Sequence, residues 1–164
     1  ATIGRIRDLV GIVFQDPDDQ LIGLTVGEDV GYGPRARRWP KTDVDRAVRT
    51  ALHSVNLEGY EHRSPHHLST GEKRRVCLAG VLACAPGLLL LDEPSSGLDP
   101  RGRRSLSALL RDLKATIIVA SHDLVFIRQV CSRIVVLDGG VVAADGAAEG
   151  ILGDAGLLGR QGRD

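Results

Sequence analysis

Two adjacent carboxylates follow an uninterrupted run of leucines. The run is Leu88–Leu91, and Asp92 and Glu93 come directly after it. Such a run predicts a strand buried on both faces of a parallel sheet, and open α/β sheets bind ligands at the carboxyl ends of their strands. Because successive strand residues point to opposite sides, one acid could serve Mg²⁺ and the other a water molecule. Taken alone, the pair fits equally well a strand that meets solvent at an acidic turn.

A second candidate site is the start of a predicted helix. Ser69, Thr70, Gly71 and Glu72 have the spacing of a capping box, with Ser69 as the N-cap and Glu72 as its reciprocal partner. The helix is predicted to run from Gly71 to about Cys84. The unpaired N–H groups of its first turn form an anion-binding site.

Further polar side chains flank other predicted elements. Gln15 follows the apolar run Gly11–Phe14, and His122 follows Thr116–Ala120, which is a second predicted buried strand. Asp99 stands before a proline and opens a predicted helix. These side chains are candidates because they lie where strands end or a helix begins.

Strands and helices alternate along the chain. Thr42 with Asp45 predicts the start of a helix, and Arg133–Leu137 and Val141–Ala144 flank a glycine-containing turn as a hairpin. The alternation predicts an α/β fold with a largely parallel sheet. The tail from Gly146 to Asp164 is rich in small residues, and its end is predicted to be mobile.

The composition fits one globular domain and excludes several classes of protein. The 164 residues are 43% hydrophobic and 26% charged, with a formal net charge of +0, so no overall field favours nucleic acid. The apolar stretch Ala79–Leu91 is interrupted by Pro86 and Gly87 and is too short to span a membrane. No secretory signal pattern opens the chain. The 3 cysteines have no metal-ligand spacing and indicate a reducing compartment, the cytosol.

Together these segments resemble the family of ATP-binding cassette (ABC) ATPases over essentially the whole chain. In chain order the matching motifs are the glutamine loop at Gln15, the signature motif at Leu68–Glu72, the Walker B strand ending in Asp92 and Glu93, the D-loop at Ser96–Asp99 and the switch histidine at His122. Each motif alone is weak evidence for the family, but all of them in this order and at compatible spacing are specific to it. The resemblance implies a P-loop NTPase-like α/β core, residues 1–27 and 86–164, and a helical subdomain of about residues 28–85 that carries the signature motif.

The resemblance gives the signature segment, Leu68–Glu72, a role in trans. Ser69, Thr70, Gly71 and Glu72 would hold the γ-phosphate of ATP that is bound by the opposite subunit of a dimer. The segment reads Leu-Ser-Thr-Gly-Glu, where Leu-Ser-Gly-Gly-Gln is commonest in the family. Glu72 keeps the capping geometry and adds a negative charge at a helix N-terminus, which we expect to be tolerated.

The remaining roles implied by the resemblance concern the metal and the attacking water. Asp92 would orient Mg²⁺ through its water shell, and Glu93 would polarise the water as the catalytic base. His122 would contact the γ-phosphate and hold the geometry of attack. Gln15 would lie at the metal, sense the phosphate and link it to the membrane partner, and Asp99 would stabilise the dimer near the water.

The chain departs from the family in its phosphate-binding loop. No G-x-x-x-x-G-K-[ST] string occurs, and Lys41, Lys73 and Lys114 all lack its glycine setting. By resemblance the strand before this loop would lie between the Thr116–Ala120 and Arg133–Leu137 strands. The 164 residues therefore read as a partial domain without the N-terminal strands and P-loop, expected to be inactive alone. A piece of a longer protein and a degenerate gene both remain open.

The amino-acid sequence around the glutamine loop resembles that of the energy-coupling-factor branch of ABC importers. The similar segments are Phe14–Leu21, Thr25–Val30, Gly33-Pro34 and Lys73–Val76. This resemblance implies uptake of cobalt, nickel or a vitamin, transmembrane partner subunits, a second ATPase subunit and no nucleic acid. It also implies a cytoplasmic location, peripheral on the inner face of the cell membrane.

Two alternatives come from other classes. One is an ABC ATPase of DNA repair or translation, although only a short helical region separates Gln15 from Ser69, where repair proteins insert long coiled coils. The other is a non-catalytic partner that lends its signature segment to a complete ATPase subunit. The DNA upstream of Ala1 would discriminate best.

Overall fold

The computed structural model describes residues 2–153. The end of the tail, which the sequence predicts to be mobile, lies outside the described residues. Contacts divide the chain into two compact units, Ala1–Ala120 and Ser121–Asp164. Each unit is described by itself.

The first unit contains most of the helices and a small sheet. Its elements are α1 Thr2–Leu9, β1 Val10–Val13, a 3-10 turn Pro17–Asp19, α2 Val26–Ala36, α3 Lys41–Ser54, a 3-10 turn Pro65–His67, α4 Thr70–Leu82, β2 Leu88–Asp92, α5 Pro100–Asp112 and β3 Thr116–Ala120. The second unit contains α6 Leu124–Val130, β4 Arg133–Asp138, β5 Val141–Ala147 and α7 Ala148–Gly153. The α/β class expected from the alternation is confirmed.

The sheet of the first unit is parallel, in the order β1-β2-β3. Val13 is paired with Leu91, and Leu91 with Val119. The run of leucines is therefore the central strand, hydrogen-bonded on both sides. Since parallel strands share one direction, the residues that follow β1, β2 and β3 all leave the sheet at the same edge.

The prediction that these strands are buried on both faces is wrong for the described residues. Leu89 and Leu91 are buried, and α4 packs against this face, where a Cβ on Gly11 would lie 2.1 Å from a methyl group of α4. On the other face Ile12, Leu90 and Ile118 form one row across the strands, and Ile12 and Ile118 are 44% and 55% exposed. The reason is that the described residues leave this second face largely uncovered.

Helices α2, α3 and α4 pack against one another and form the core of the helical part. Their innermost side chains are Val26, Val30, Leu52, Val55 and Val76, all with 1% exposure or less. A Cβ on Gly33 of α2 would lie only 2.4 Å from Sγ of Cys84. Gly33 therefore permits the close approach of α2 to the end of α4.

Helix α3 does not begin as the sequence predicts. Thr42 is not its N-cap, because the helix already includes Lys41, and Pro40 occupies the cap position without a side-chain hydrogen bond. The amides of Asp43 and Val44 both donate to the carbonyl oxygen of Pro40, at 2.9 and 3.0 Å. The first turn closes on the proline, so the N-cap lies two residues earlier than the capping pattern suggests.

The hairpin predicted near the end of the chain is confirmed in the second unit. Strands β4 and β5 pair antiparallel, with a bulge between Val136 and Leu137. Gly139 and Gly140 at the turn have φ angles of +53° and +81°, which are the left-handed values that a two-residue type I′ turn requires. β5 continues to Ala147, three residues beyond the predicted Ala144.

None of the helices in residues 2–153 is long and apolar enough to cross a bilayer. β3 is paired with β2 alone, and β4 with β5 alone, within the same described range. Each sheet therefore has an open edge at the strand for which the resemblance implies a further neighbour.

We predict that the 164 residues by themselves are poorly stable or self-associate. An unpaired strand edge beside exposed apolar side chains is a template for pairing with another copy. Ile118→Lys should shift the population toward monomer in sedimentation velocity. Leu24→Lys is the matched control, because it removes an apolar side chain that is 80% exposed from a loop instead of a strand. A strictly monomeric unsubstituted chain with one cooperative melt would contradict the prediction.

Candidate functional site

The acids predicted from the sequence lie at the carboxyl end of the central strand. Asp92 is the last residue of β2 and is exposed, whereas Glu93 is half-buried. Gln15 stands two residues after Val13, the partner of Leu91, just as Glu93 stands two residues after Leu91. The register of the sheet therefore brings the glutamine loop and the two acids to the same edge.

The backbone turns sharply at Glu93. Its φ angle is +41°, a left-handed value that is uncommon for a residue with a side chain. The Glu93 amide donates to the carbonyl oxygen of Ala120 at 2.8 Å, and its own carbonyl accepts from the amide of Ser96 at 3.1 Å. Such backbone costs about 1–3 kcal/mol and occurs preferentially at functional sites. The chain accepts this strain at the residue for which the sequence suggests the catalytic role.

The capping box predicted at the signature segment is confirmed. Ser69 Oγ accepts from the amide of Glu72 at 3.3 Å, and Glu72 Oε2 accepts from the Ser69 amide at 2.8 Å and from Ser69 Oγ at 2.7 Å. The hydroxyl of Tyr60 donates to the other carboxylate oxygen at 2.8 Å, and the guanidinium of Arg63 lies 3.7 Å from the centre of the Tyr60 ring. The hydrogen bonds from the Ser69 side chain, from its backbone and from Tyr60 lower the pKa of Glu72.

The start of α4 lies beside the D-loop segment. Ser69 and Thr70 are exposed, and a Cβ on Gly71 would meet a methyl group of Leu98 at 3.6 Å. Asp99 is the N-cap of α5, where its Oδ1 accepts from the Gly102 amide at 2.7 Å. The predicted helix start at Asp99 is thus confirmed, and one of its carboxylate oxygens is engaged in capping.

The loop after β1 is fastened to α4 by side chains of that helix. Lys73 Nζ donates to Oδ1 of Asp18 at 2.6 Å, and Sγ of Cys77 donates to the carbonyl oxygen of Pro17 at 3.6 Å. Burial raises the pKa of Cys77 to about 12, so the thiol stays protonated and can act as this donor. The loop that carries Gln15 is therefore docked on the helix that carries the signature segment.

Arg74 connects the same helix to both loops. Its NH2 group donates to the carbonyl oxygen of Gln15 at 2.9 Å. Its NH1 group donates to the carbonyl oxygen of Pro94 at 2.9 Å and also to that of Ser96. The side chain is buried, with 6% exposure. All three acceptors are backbone carbonyl oxygens from the two loops that carry site candidates.

His122 belongs to the second unit and is exposed there. The residues around it form a cap: Ser121 Oγ accepts from the Asp123 amide at 3.2 Å, and Asp123 Oδ1 accepts from the Phe126 amide at 3.0 Å at the start of α6. The first unit thus brings together Gln15, Ser69–Glu72, Asp92, Glu93 and Asp99. His122 is positioned by a separate turn within its own unit.

The sequence motifs do not indicate Tyr60 or Arg74 as site residues. A signal for Arg74 was available, because a charged residue at this position shares a helix face with Cys77 and Leu78, which are buried. A charged side chain in an apolar stripe must find polar partners. Tyr60 carries no comparable signal, since its partner Glu72 lies twelve residues further along the chain.

The donor chemistry at the edge of the sheet suits Mg²⁺. Asp92 offers an exposed carboxylate and Gln15 an exposed amide oxygen, and Mg²⁺ in phosphate sites takes oxygen ligands, usually one or two carboxylates with phosphate oxygens and waters. Within residues 2–153 no group of three or more His, Cys, Asp or Glu could hold a metal ion. An ion at Asp92 would thus combine this carboxylate with phosphate oxygens and waters.

We predict that Glu72 makes stability depend on pH. Since its pKa is lowered in the fold, the carboxylate stabilises the protein above its unfolded pKa of about 4.3, and this contribution disappears as the pH falls through the folded value. The difference in unfolding free energy between the unsubstituted protein and Glu72→Gln should therefore shrink from about pH 5 to pH 3. Urea denaturation followed by circular dichroism measures it. Tyr60→Phe, which removes one donor, should give a weaker dependence, and a difference that is constant with pH would refute the assignment.

Comparisons with known proteins agree with this arrangement. The family model described as "ABC transporter" matches residues 1–96, a range that includes Gln15, the signature segment, Asp92 and Glu93. A Geobacter sulfurreducens protein whose name assigns it to the ABC transporter ATP-binding proteins is 48% identical over 157 residues, which are 96% of this chain and 63% of that protein. The energy-coupling factor transporter ATP-binding protein EcfA of Methanothermobacter thermautotrophicus is 45% identical over 159 residues, 95% of this chain and 51% of that protein.

A solved structure has the same fold. CbiO1 of Clostridium perfringens, described as part of the ABC transporter complex CbiONQ, matches with a TM-score of 0.85 and 36% identity, over 97% of this chain and 64% of that chain. The chain thus spans between about half and two thirds of the length of these relatives. The family model, the relatives and the shared fold agree that the chain belongs to the ABC transporter family, with ATP-binding proteins of the energy-coupling-factor and CbiO type among its relatives.

Proposed function

We propose that this chain is part of an ATP-hydrolysing subunit that powers an importer of the energy-coupling-factor type. The observation that carries the proposal is the shared edge of the sheet, where Asp92 and Glu93 follow the central strand and the Gln15 loop follows its neighbour. Helix α4, which begins with the signature segment, is connected to the loops at this edge through Arg74. Carboxylates for a metal and for a water are parts that phosphoryl transfer to water requires, and the helix N-terminus offers a phosphate site to ATP of a second subunit.

Each candidate has a role that its position supports. Asp92 would hold Mg²⁺ through its water shell, and the bound ion neutralises charge on the phosphate oxygens of ATP. Glu93 would accept a hydrogen bond from the attacking water and take its proton. Gln15 would contact the metal and the γ-phosphate, and His122 would hydrogen-bond that phosphate. Asp99 would lie at the dimer interface near the water.

The signature segment would act on a second ATPase subunit. Ser69 and Thr70 are exposed at the start of α4, and the amides of Thr70 and Gly71 take no part in the capping hydrogen bonds, so they can donate to an anion. We propose that they bind the γ-phosphate of ATP held by the partner subunit, with Gly71 permitting close approach of the phosphate. Glu72 would serve the segment as its cap.

The remaining parts of the proposal follow the relatives. The helical part, about residues 28–85, would be the subdomain that carries the signature segment and meets transmembrane subunits, with 1–27 and 86–164 as the core. CbiO1 is described as part of a transporter complex, which supports a peripheral place on the cytoplasmic face of the membrane for this chain as well. The cargo would be cobalt, nickel or a vitamin, as the wording of the glutamine loop implies, and nucleic acid would have no part.

Replacing Glu93 tests the proposed reaction. In the complete gene product, Glu93→Gln should keep ATP binding but lower steady-state hydrolysis by about 10²–10⁴-fold, because an amide cannot take a proton from water. Phosphate release at saturating ATP measures the loss, and Glu149→Gln, an exposed glutamate of α7, is the matched control. The 164 residues by themselves should show no hydrolysis, since their sequence holds no P-loop string. Near-normal turnover by Glu93→Gln would reject the assignment.

Replacing Ser69 tests the action in trans. Ser69→Arg fills the start of α4 with a bulky side chain, so it should block hydrolysis by the dimer while ATP still binds to an isolated subunit. His66→Arg adds the same bulk and charge at an exposed position before the segment and should leave hydrolysis intact. Nucleotide titration and phosphate release separate the two effects. Equal loss of binding in the isolated subunit would mean that Ser69 acts in cis.

A further inference from the structure

The guanidinium of Arg74 is a buried charge whose hydrogen bonds go to backbone carbonyl groups, and the carboxylate of Asp16 adds a Coulombic attraction. Its acceptors are the carbonyl oxygens of Gln15, Pro94 and Ser96, and its Nε has no hydrogen-bond partner among the described residues. Burial lowers the pKa of Arg74, in the direction that desolvation of a cation dictates. All of its hydrogen-bond acceptors therefore come from two separate loops, and removing either set would leave the charge poorly solvated.

The fork geometry of the guanidinium fixes the two loops relative to each other. NH2 reaches the loop after β1 at Gln15, and NH1 reaches the loop after β2 at Pro94 and Ser96. The guanidinium group is planar, so its two terminal nitrogens are held at a fixed spacing. The donor–acceptor distance of a hydrogen bond varies by only a few tenths of an ångström around 2.9 Å. A shift of one loop without the other must break part of this set.

The same side chain ties both loops to the signature segment. Arg74 lies in the second turn of α4, whose N-cap is Ser69. Lys73 and Cys77 add contacts from this helix to Asp18 and Pro17, but both of these reach only the loop after β1. Among these side chains, Arg74 is the one whose hydrogen bonds span the two loops.

We propose that Arg74 is a positioning residue that joins the Gln15 loop, the loop after Glu93 and the start of α4 into one rigid body. A displacement of any one of these segments on nucleotide binding would then move the other two with it. The inference rests on the proposed ATPase function. It adds an explanation of how these three segments keep fixed positions relative to one another. Arg74 acts through the backbone of its neighbours and needs no contact with nucleotide.

The test uses Arg74→Met, Arg74→Lys and the control Arg49→Met in the complete gene product assembled with its membrane subunits. Arg49 is an exposed residue of α3, so its substitution makes the same chemical change away from the loops. Steady-state hydrolysis gives kcat and KM for ATP. Hydrogen–deuterium exchange measures protection of residues 14–20 and 93–98.

Arg74→Met should lower kcat on the order of 10²-fold, the loss expected for a misplacement of about 1 Å in a catalytic geometry, with a much smaller change in KM. Exchange should accelerate in both loops together while α3 keeps its protection. Arg74→Lys keeps the charge but lacks the fork, so it should restore protection in one loop and only part of kcat. Arg49→Met should match the unsubstituted protein.

Three results would overturn the inference: unchanged kcat in Arg74→Met, faster exchange in one loop only, or full recovery of both loops by Arg74→Lys. If Arg74→Met fails to fold, the lysine variant decides: a partial loss of kcat with faster exchange in one loop supports the inference, and kcat and protection equal to those of the unsubstituted protein overturn it. Glu93→Gln measured in parallel separates the two proposals. If it turns over ATP like the unsubstituted protein, the proposed function falls and this inference with it; if it is inactive while Arg74→Met is normal, the inference alone falls.

Discussion

Hydrogen bonding of β2 to a parallel neighbour on each side determines where the chemistry of the first unit can lie. Because β1, β2 and β3 run in one direction, every loop that follows them emerges at a single edge. The pairing of Val13 with Leu91 then sets the distance at which Gln15 and Glu93 begin their loops. A shift of register by one residue would turn Leu89 and Leu91 out of the core, so burial of these leucines protects the geometry of the site.

Local sequence patterns predicted those features whose hydrogen bonds are local. The Ser69–Glu72 cap, the Asp99 cap and the turn at Gly139 and Gly140 each involve residues no more than a few positions apart. Their physical causes are complete within the short segment, such as an orphan amide that needs an acceptor or a turn that needs positive φ. The leucine strand could also be predicted from its own residues, because a short unbroken apolar run is typical of a strand in the interior of a parallel sheet.

The features that the sequence did not yield depend on partners far along the chain. Arg74 meets carbonyl groups at separations of 20, 22 and 59 residues, and no periodicity contains that information. Helix α2 was obscured by Gly27, Gly31, Gly33 and Pro34, residues that normally argue against a helix, yet close packing on α4 requires the small side chain at Gly33. The exposure of one face of the sheet was not predicted, because an apolar run indicates that a strand is buried but not which segment of the chain packs on each of its faces.

The glutamate in the signature segment raises a question of charge, since a phosphate group would approach a helix start that already carries a carboxylate. Glu72 is lodged between the Ser69 amide, the Ser69 hydroxyl and the hydroxyl of Tyr60, and charge-assisted hydrogen bonds of this kind draw its negative charge toward those donors. A carboxylate in the first turn is also stabilised by the helix dipole by about 0.3–1 kcal/mol. The same geometry engages the Ser69 hydroxyl as a donor to Glu72, so a phosphate must either rely on the backbone N–H groups or draw that hydroxyl away. Because glutamine at this position would be neutral and a weaker acceptor, the glutamate form holds Ser69 more firmly and leaves more of the anion binding to the backbone.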